Sequence, residues 1–230
     1  MIALVSRVTM TFTLIESFAA RGIKLTNYLD VSKKRRSSQR RLVVQLDSIY
    51  ELDVKMWKGG VVLVDEFHSF LEYLSTSSTL QYRRRNVFYN FVSLLRSARV
   101  IHVMDADMSQ QALALFERLK IPVHMVENKT PSFEGKPLYF TENHDEFVEW
   151  LHKERHKPRW IVSDTKSGVE ALRDLLWEAD KEEFGENARP WKTFTSDTSK
   201  EKMFRDLKDL EGFNVVASTT VLYGLDFNWE

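Results

Sequence analysis

The chain has 230 residues, with 33 Lys and Arg, 33 Asp and Glu, and a formal net charge of zero. Hydrophobic residues make up 43% of it, which allows a packed core and excludes a largely disordered chain. The absence of cysteine excludes disulfides and thiolate metal sites, and it fits a soluble protein of a reducing intracellular compartment. No apolar run approaches the roughly 20 residues that span a bilayer, and residues 1–10 lack the features of a signal peptide, so we expect no membrane association.

The two halves of the chain carry opposite charge. Residues 1–130 hold 19 Lys and Arg against 12 Asp and Glu, whereas residues 131–230 hold 14 against 21. A basic half joined to an acidic half indicates two domains, with a polyanionic partner for the first, although chance clustering of surface charge is the alternative. Residues 128–137 contain two Pro, one Gly and polar residues, which is typical of a linker. We therefore predict one domain over 1–130 and a second over 131–230.

Segments with strand and helix patterns alternate along residues 1–130. Short apolar runs predict strands, and apolar residues at helical spacing predict helices. The predicted strands are IALVSRV (2–8), RLVVQL (41–46), GGVVLVDE (59–66), VIHVM (100–104) and PVHMVE (122–127). The predicted helices are TLIESFAARG (13–22), RRRNVFYNFVSLLRSA (83–98) and SQQALALFERLK (109–120), the last with Ser109 as its start signal.

The same alternation continues through residues 131–230. The predicted strands are PLYF (137–140), RWIVSD (159–164), WKTFT (191–195) and FNVVAST (213–219). The predicted helices are NHDEFVEWLHKER (143–155), TKSGVEALRDLLWEADKEEF (165–184) and DTSKEKMFRDLKDL (197–210). Apolar strands that alternate with helices predict an α/β fold with parallel sheets covered on both faces. Ligands of such sheets bind at the carboxyl ends of the strands, so the polar residues that follow each strand are the candidates for function.

Two adjacent carboxylates, Asp65 and Glu66, follow the apolar strand VVLV. Nucleotide hydrolysis needs one carboxylate that holds Mg²⁺, usually through water, and another that polarises the attacking water. Asp65 would serve the metal and Glu66 the water, while His68 could relay contact to a neighbouring strand end. An equally weighted alternative is a strand followed by an acidic helix N-terminus, which the helix macrodipole favours without any catalysis.

Asp105 and Asp107 follow the next strand and form a DxD pattern. They could couple a hydrolysis site to the movement of a neighbouring domain. The same pattern could hold the nucleophile of a haloacid-dehalogenase-type phosphatase, or chelate the metal of a nucleotide-sugar transferase. The phosphatase motif normally opens its domain, whereas about a hundred residues precede Asp105 here, which argues against the phosphatase alternative.

Two basic runs and one hydroxyl-rich segment could meet a nucleic acid. KKRRSSQRR (33–41) and YRRR (82–85) could neutralise phosphates without reading sequence, although a solvated loop is the favoured interpretation of either run alone. VVASTTVLYGLDF (215–227) carries hydroxyls suited to a phosphate backbone, and Asp226 suits a ribose hydroxyl or a water near a nucleotide. A strand and a turn are the alternative there.

Taken in order, these segments resemble the motifs of the superfamily 2 helicase core. LVSRVTMT, VVQLDSI, VVLVDEFH, VIHVMDADMS, RWIVSDTKSGVEAL and VVASTTVLYGLDF are similar to motifs Ia, Ib, II (in its DExH variety), III, IV and V. The SRVT, QLDS, DEF and MDADM elements are similar to those of the replication-origin-binding proteins, the helicases typified by the herpesvirus origin-binding protein. The resemblance covers nearly the whole chain.

This resemblance implies an ATP-dependent DNA helicase of DNA replication, with ATP, Mg²⁺ and nucleic acid bound between two RecA-like parallel-sheet domains. It implies catalytic roles for Asp65, Glu66 and His68, with Asp65 holding Mg²⁺ through water. It implies that Asp105 and Asp107, together with His68, couple hydrolysis to domain movement. It implies nucleotide contacts for Gly224 and Asp226. The implied nucleic-acid contacts are Ser6, Arg7, Gln45, Ser48 and Thr219. The compartment would be the nucleus for a viral or eukaryotic replication protein.

The sequence departs from the helicase pattern in two places. It contains no GxxxxGK[ST] phosphate-binding loop and no QRxGRxxR-type motif VI, so we expect both RecA-like domains to be incomplete. An arginine finger alone is worth about 10³–10⁵ in rate, so the chain by itself is expected to hydrolyse ATP very poorly. A catalytically inactive nucleic-acid-binding fragment is therefore the alternative function.

Overall fold

The computed structural model describes residues 1–106, 108–129, 139–198, 210 and 212–218. These residues separate into two compact units, the first comprising residues 1–124 and the second the described residues from 125 onward. Four predicted site residues lie outside the described residues: Asp107, Thr219, Gly224 and Asp226. So do residues 137–138 of the predicted strand PLYF and residues 199–209 of the predicted helix 197–210.

The first unit contains a five-stranded sheet in which every neighbouring pair is parallel. The strand order is β2-β3-β1-β4-β5. The strands are β1 (Ile2–Val5), β2 (Thr26–Asn27), β3 (Leu42–Gln45), β4 (Val61–Val64) and β5 (Val100–Val103). Ile2 lies opposite both Leu42 and Val62, so β1 is hydrogen bonded on both sides. Because the strands are parallel, their carboxyl ends meet at one edge of the sheet, which we call the carboxyl edge.

Helices cover both faces of this sheet. They are α1 (Val8–Ala19), α2 (Lys33–Arg36), α3 (Phe67–Thr76), α4 (Arg84–Ser97) and α5 (Gln110–Leu119). Alternate strand residues point to opposite faces, so Ile2 and Leu4 pack with the aromatic rings of α3, α4 and α5, whereas Ala3 and Val5 pack with α1. The predicted α/β class with parallel sheets is confirmed.

One predicted strand of the first half is wrong. Residues 121–129 form no regular secondary structure, although PVHMVE was predicted as a strand. Val123 is 52% and Val126 83% exposed, so the apolar alternation there does not face a core. Strand propensity depends on a partner and a buried face, and Pro122 lacks an N–H to donate to a ladder.

The second unit contains a three-stranded parallel sheet in the order β6-β8-β7. Its strands are β6 (Trp160–Ser163), β7 (Trp191–Phe194) and β8 (Asn214–Ser218), and its described helices are α6 (His144–Lys153) and α7 (Lys166–Phe184). Thr165 caps α7, since its hydroxyl oxygen accepts a hydrogen bond from the Gly168 N–H at 3.0 Å. Leu151 of α6 and Val169 and Leu176 of α7 are buried with strand residues in one small core.

A buried ionic network joins α7 to all three strands of the second sheet. Asp180 of α7 pairs with Arg159, which precedes β6. The same carboxylate oxygen accepts hydrogen bonds from Trp191 Nε1 at 3.0 Å and Asn214 Nδ2 at 3.3 Å, at the first residues of β7 and β8. The network therefore lies at the amino edge of this sheet, away from the strand ends where ligands bind in α/β folds.

None of the described helices is long and apolar enough to cross a membrane.

Candidate functional site

The carboxyl edge of the first sheet holds Asp65 and Glu66 between β4 and α3. Asp65 directly follows β4, and Glu66 occupies the N-cap position of α3. Backbone hydrogen bonds before and after the turn join it to Met104, at the end of the neighbouring strand β5. The Met104 N–H donates to the Val64 carbonyl at 2.9 Å, and the Phe67 N–H donates to the Met104 carbonyl at 3.2 Å. The two carboxylates are therefore fixed beside the end of β5.

Asp105 caps helix α3 from the neighbouring strand. Its carboxylate accepts a hydrogen bond from the His68 N–H, which belongs to the first turn of α3. The side chain of Glu66, the N-cap residue, makes no capping hydrogen bond. A helix with an acidic N-terminus, the alternative interpretation of this stretch, is therefore present. The carboxylate that caps it belongs to Asp105 and not to Asp65 or Glu66.

The His68 ring joins the site to helix α5. His68 Nδ1 lies 3.0 Å from the Ser109 hydroxyl oxygen. Ser109 is the N-cap of α5, as its sequence position indicated, and its oxygen accepts the Ala112 N–H at 3.3 Å. The structure therefore brings together His68 and Asp105, two of the residues assigned to coupling.

Burial and mutual repulsion raise the pKa values of the two catalytic candidates. Burial is the main cause of the raised pKa of Asp65, and the charge of Asp105 adds to it, although the Glu66 N–H donates to Asp65 Oδ1 at 3.1 Å and opposes the shift. Burial likewise raises the pKa of Glu66 first, followed by the charges of Asp65 and Asp105. A bound cation would relieve this repulsion, which is the electrostatic condition for a metal site.

Glu66 has a strained backbone. Its φ of 50° and ψ of 57° place it in the left-handed region, where a residue with a side chain costs about 1–2 kcal/mol relative to the right-handed conformation. Strained residues of this kind cluster at active sites and ligand clamps. The strain therefore adds an independent reason to regard the β4–α3 turn as a functional segment.

The carboxylates of the turn fit the way in which proteins hold Mg²⁺ beside a nucleotide. Among the residues that the structure describes, no group of three or more Asp, Glu and His side chains forms a cage for a metal ion. Mg²⁺ in phosphoryl-transfer sites is commonly bound by one or two carboxylates together with water and phosphate oxygens. Asp65 and Glu66 supply donors of that kind.

Ser6 and Gln45 are brought together at the ends of β1 and β3. Gln45 Nε2 donates to the Ser6 carbonyl at 3.4 Å, and Gln45 Oε1 accepts from the Tyr28 hydroxyl at 3.1 Å. The Ser6 hydroxyl is buried and donates to Met10 Sδ at 3.4 Å. Ser6 as a whole is 3% exposed, so it presents almost no surface to a ligand in this conformation, whereas Gln45 is half-buried.

Arg7 and Ser48 lie on either side of this pair. Arg7 is the half-buried N-cap residue of α1, and Ser48 lies in the 3₁₀ segment that follows β3. Ser48 hydrogen bonds to the Tyr28 side chain, whose pKa is raised mainly by burial. Tyr28 thus positions both Gln45 and Ser48. Sequence reasoning missed it because an isolated tyrosine before the first basic run carries no motif.

In the second unit, hydroxyl groups lie at the carboxyl edge of the sheet. Ser163 of β6 is in register with Ser218 of β8, and Thr195 follows β7. The Thr195 hydroxyl accepts the Asp197 N–H at 3.3 Å, which holds the turn after β7. Ser218 directly precedes Thr219, the predicted nucleic-acid contact that lies outside the described residues.

The fold matches that of solved structures. Thirty-four chains of solved structures match, among them a variant of Dbp5 from S. cerevisiae bound to a variant of Gle1 and to IP6. The two chains share 15% sequence identity and superpose with a TM-score of 0.63 over 98% of this chain. This chain spans 58% of the length of that one. At such identity the match shows the fold alone, and it defines an α/β protein with the RecA-like architecture of helicases.

The sequence identifies the family more narrowly. Residues 1–141 match the profile of the family described as origin of replication binding protein. The match covers more than half of the 230 residues, so the chain belongs to that family. No curated protein sequence matches the chain.

Proposed function

We propose that this chain provides the metal and water part of the ATP site of a DNA-replication helicase, together with part of its nucleic-acid-binding surface. The observation that carries the proposal is the placement of Asp65 and Glu66 at the carboxyl edge of a RecA-like sheet, both with raised pKa values and Glu66 with a left-handed backbone. Membership of the origin-binding family and the helicase-like fold support it.

In this proposal the two carboxylates have separate roles. Asp65 holds Mg²⁺ through water, and Mg²⁺ neutralises phosphate charge when it is bound with ATP. Glu66 orients the attacking water and accepts its proton, a role that suits a carboxyl whose pKa is raised by burial. Gly224 and Asp226 would reach towards the nucleotide.

The coupling and nucleic-acid roles are also part of the proposal. His68, Asp105 and Asp107 would transmit the state of the nucleotide, and the contacts of His68 with Asp105 and Ser109 support a connection between α3, the end of β5 and α5. The proposed nucleic-acid contacts are Ser6, Arg7, Gln45 and Ser48 in the first unit and Thr219 in the second. Of the Ser6–Gln45 pair, the half-buried Gln45 amide is the group that a ligand at this edge would meet.

Mg²⁺-dependent ATP binding and DNA-stimulated ATP hydrolysis test the catalytic proposal. Glu66→Gln should leave ATP binding intact and reduce whatever DNA-stimulated hydrolysis the parent shows at least about 10²-fold, the lower end of the range for general base catalysis. Asp65→Asn should remove the Mg²⁺ dependence of ATP binding. The matched control is Glu72→Gln, an exposed carboxylate of α3. A Glu66→Gln variant as active as the parent would show that Glu66 has no catalytic role.

A nucleic-acid-binding module without catalysis is the second candidate function. The absence of a GxxxxGK[ST] sequence favours it, since that loop and its Lys hold most of a triphosphate. Salt-dependent binding of oligonucleotides without any Mg²⁺-dependent binding of ATP would favour this function over the first. Absence of both activities would refute the two proposals together.

A further inference from the structure

The two basic runs of the first unit are not explained by the proposed ATP site. Residues 33–36 form helix α2, and residues 83–85 lie at the start of helix α4. The sequence places them far apart, and each alone fits a solvated surface.

The structure brings the two runs together around Glu51 and Tyr50. The Glu51 carboxylate pairs with Lys33 and Arg36 of the first run and accepts a hydrogen bond from the Tyr50 hydroxyl at 2.8 Å. Arg83 of the second run donates to the same hydroxyl at 2.6 Å, and its guanidinium lies 4.4 Å from the centre of the Tyr50 ring. The two runs therefore meet through this Glu51–Tyr50 pair. We call the exposed residues of α2 and of segment 82–85 the basic corner (residues 33–35, 82, 83 and 85).

Some of these cations serve the fold and others do not. Arg36 is buried, and its Nε donates to the Tyr28 carbonyl at 3.0 Å, so it is a structural residue. Lys34, Arg35 and Arg85 are exposed. Tyr82 is 92% exposed, so burial gives its ring almost no stabilising role. An exposed aromatic ring among cations is the composition of a surface that binds single-stranded nucleic acid.

The basic corner is connected to the proposed nucleic-acid contacts at the carboxyl edge. Arg36 contacts Tyr28, with its guanidinium 4.9 Å from the ring centre, and the Tyr28 hydroxyl donates to Gln45. Gln45 in turn donates to Ser6. A polar network thus extends from the end of β1, through β3 and α2, to the start of α4.

We propose that the basic corner binds the phosphodiester backbone of a single strand of nucleic acid that continues outward from the Ser6–Gln45 edge, with a base stacked on Tyr82. The inference rests on the proposed nucleic-acid-binding function and extends its footprint to residues outside the helicase motifs. Lys34, Arg35 and Arg85 neutralise phosphates, whereas Arg83 is held over Tyr50 and fixes the position of the corner. Binding of this kind is independent of sequence and falls steeply with salt.

The salt dependence of oligonucleotide binding by the full chain tests the phosphate contacts. The variant K34Q/R35Q/R85Q removes three exposed cations that take no part in the Glu51 network. Each phosphate contact to a single strand contributes about 0.7 to the slope of log K against log salt, so the slope should fall by about 2. The control is R21Q/K24Q/R96Q, which removes three exposed cations at the opposite edge of the same sheet. It should keep the parental slope.

Tyr82→Ala tests the stacking contact. It should weaken binding of an unstructured single strand at least about fivefold, the lower end of the measured range for a stacked base, whereas Tyr82→Phe should bind like the parent. A duplex of equal length should be insensitive to Tyr82→Ala. Equal losses on single strand and duplex would refute stacking of an unpaired base.

The outcomes separate this inference from the function on which it rests. If the parent binds oligonucleotides and the triple variant keeps the parental slope, the basic corner is not part of the binding surface, while the proposed function stands. If the parent itself shows no salt-dependent binding, the proposed nucleic-acid function fails and the inference fails with it. Displacement of the single strand by a polyglutamate peptide at equal charge concentration would show that charge alone is recognised, and would refute the specific strand path.

Discussion

The backbone N–H of His68 donates a hydrogen bond to the carboxylate of Asp105, a residue 37 positions later in the chain. This bond caps helix α3 with a side chain from the end of the adjacent strand. The turn that carries Asp65 and Glu66 is therefore hydrogen bonded to the end of β5. A displacement of that end would change the positions of both carboxylates. Such a contact is a physical basis for the coupling role that we propose for Asp105.

We predict that Asp105→Ala destabilises the protein by about 1 kcal/mol, the usual effect of losing an N-cap side chain. Asp105→Asn should cost less, because the amide oxygen can still accept the His68 N–H. Urea unfolding of the two variants measures the difference, with Glu117→Gln, an exposed carboxylate of α5, as the control. An Asp105→Ala variant as stable as the parent would show that the cap contributes nothing to the fold.

The left-handed backbone of Glu66 gives a second prediction. Glycine adopts this conformation without steric cost, whereas alanine keeps the penalty of a Cβ. Glu66→Gly should therefore be more stable than Glu66→Ala by about 1 kcal/mol. Both variants lack the carboxylate, so their difference in unfolding free energy reports the backbone alone. The reverse order of stability would mean that the turn is not strained at this residue.

The raised pKa values of Asp65 and Glu66 predict a pH-dependent cost. An acid whose pKa is raised in the folded state favours folding in its protonated form, so its ionisation destabilises the protein as the pH rises through the folded pKa. Asp65→Asn should therefore be more stable than the parent at pH 7. The advantage should shrink as the pH falls and vanish below about 3.8, the ordinary value for an aspartate, where the parent is also neutral. Denaturant unfolding across this pH range measures the stability difference between Asp65→Asn and the parent, with Glu72→Gln as the control. A difference that is constant with pH would show that ionisation of Asp65 is not its cause.

The sequence predicted the α/β class because each strand is a short apolar run and each long helix has its own periodicity. It predicted helix starts where the cap is local, as at Ser109 and Thr165. It gave a helix after β4 only as one of two alternatives, because the cap of α3 comes from Asp105, and it did not predict the two-residue strand β2. Both depend on neighbours distant in sequence, which periodicity cannot show.

For the candidate site, too, the sequence predicted the features that depend on adjacent residues and not those that depend on residues distant in the chain. The placement of Asp65 and Glu66 at a strand end followed from the pattern of residues 61–66. The αL backbone of Glu66, the Tyr28 contacts with Gln45 and Ser48, and the meeting of the two basic runs at Tyr50 did not. The strand predicted over residues 122–127 is wrong for the corresponding reason, since its apolar residues have no neighbouring strand in the structure.

The buried ion pair between Arg159 and Asp180 gives the last prediction. Asp180 accepts hydrogen bonds from Arg159, Trp191 and Asn214, so its removal leaves a buried guanidinium without its counter-charge. Breaking a buried pair in this way typically costs about 3–5 kcal/mol, so Asp180→Ala should strongly destabilise the second unit. The double variant Arg159→Met/Asp180→Leu removes both charges and should be markedly more stable than Asp180→Ala, because apolar replacement of a buried pair is often close to neutral. Unfolding monitored by tryptophan fluorescence compares the two, since Trp191 lies in the network. A double variant no more stable than Asp180→Ala would show that the unpaired charge is not the source of the loss.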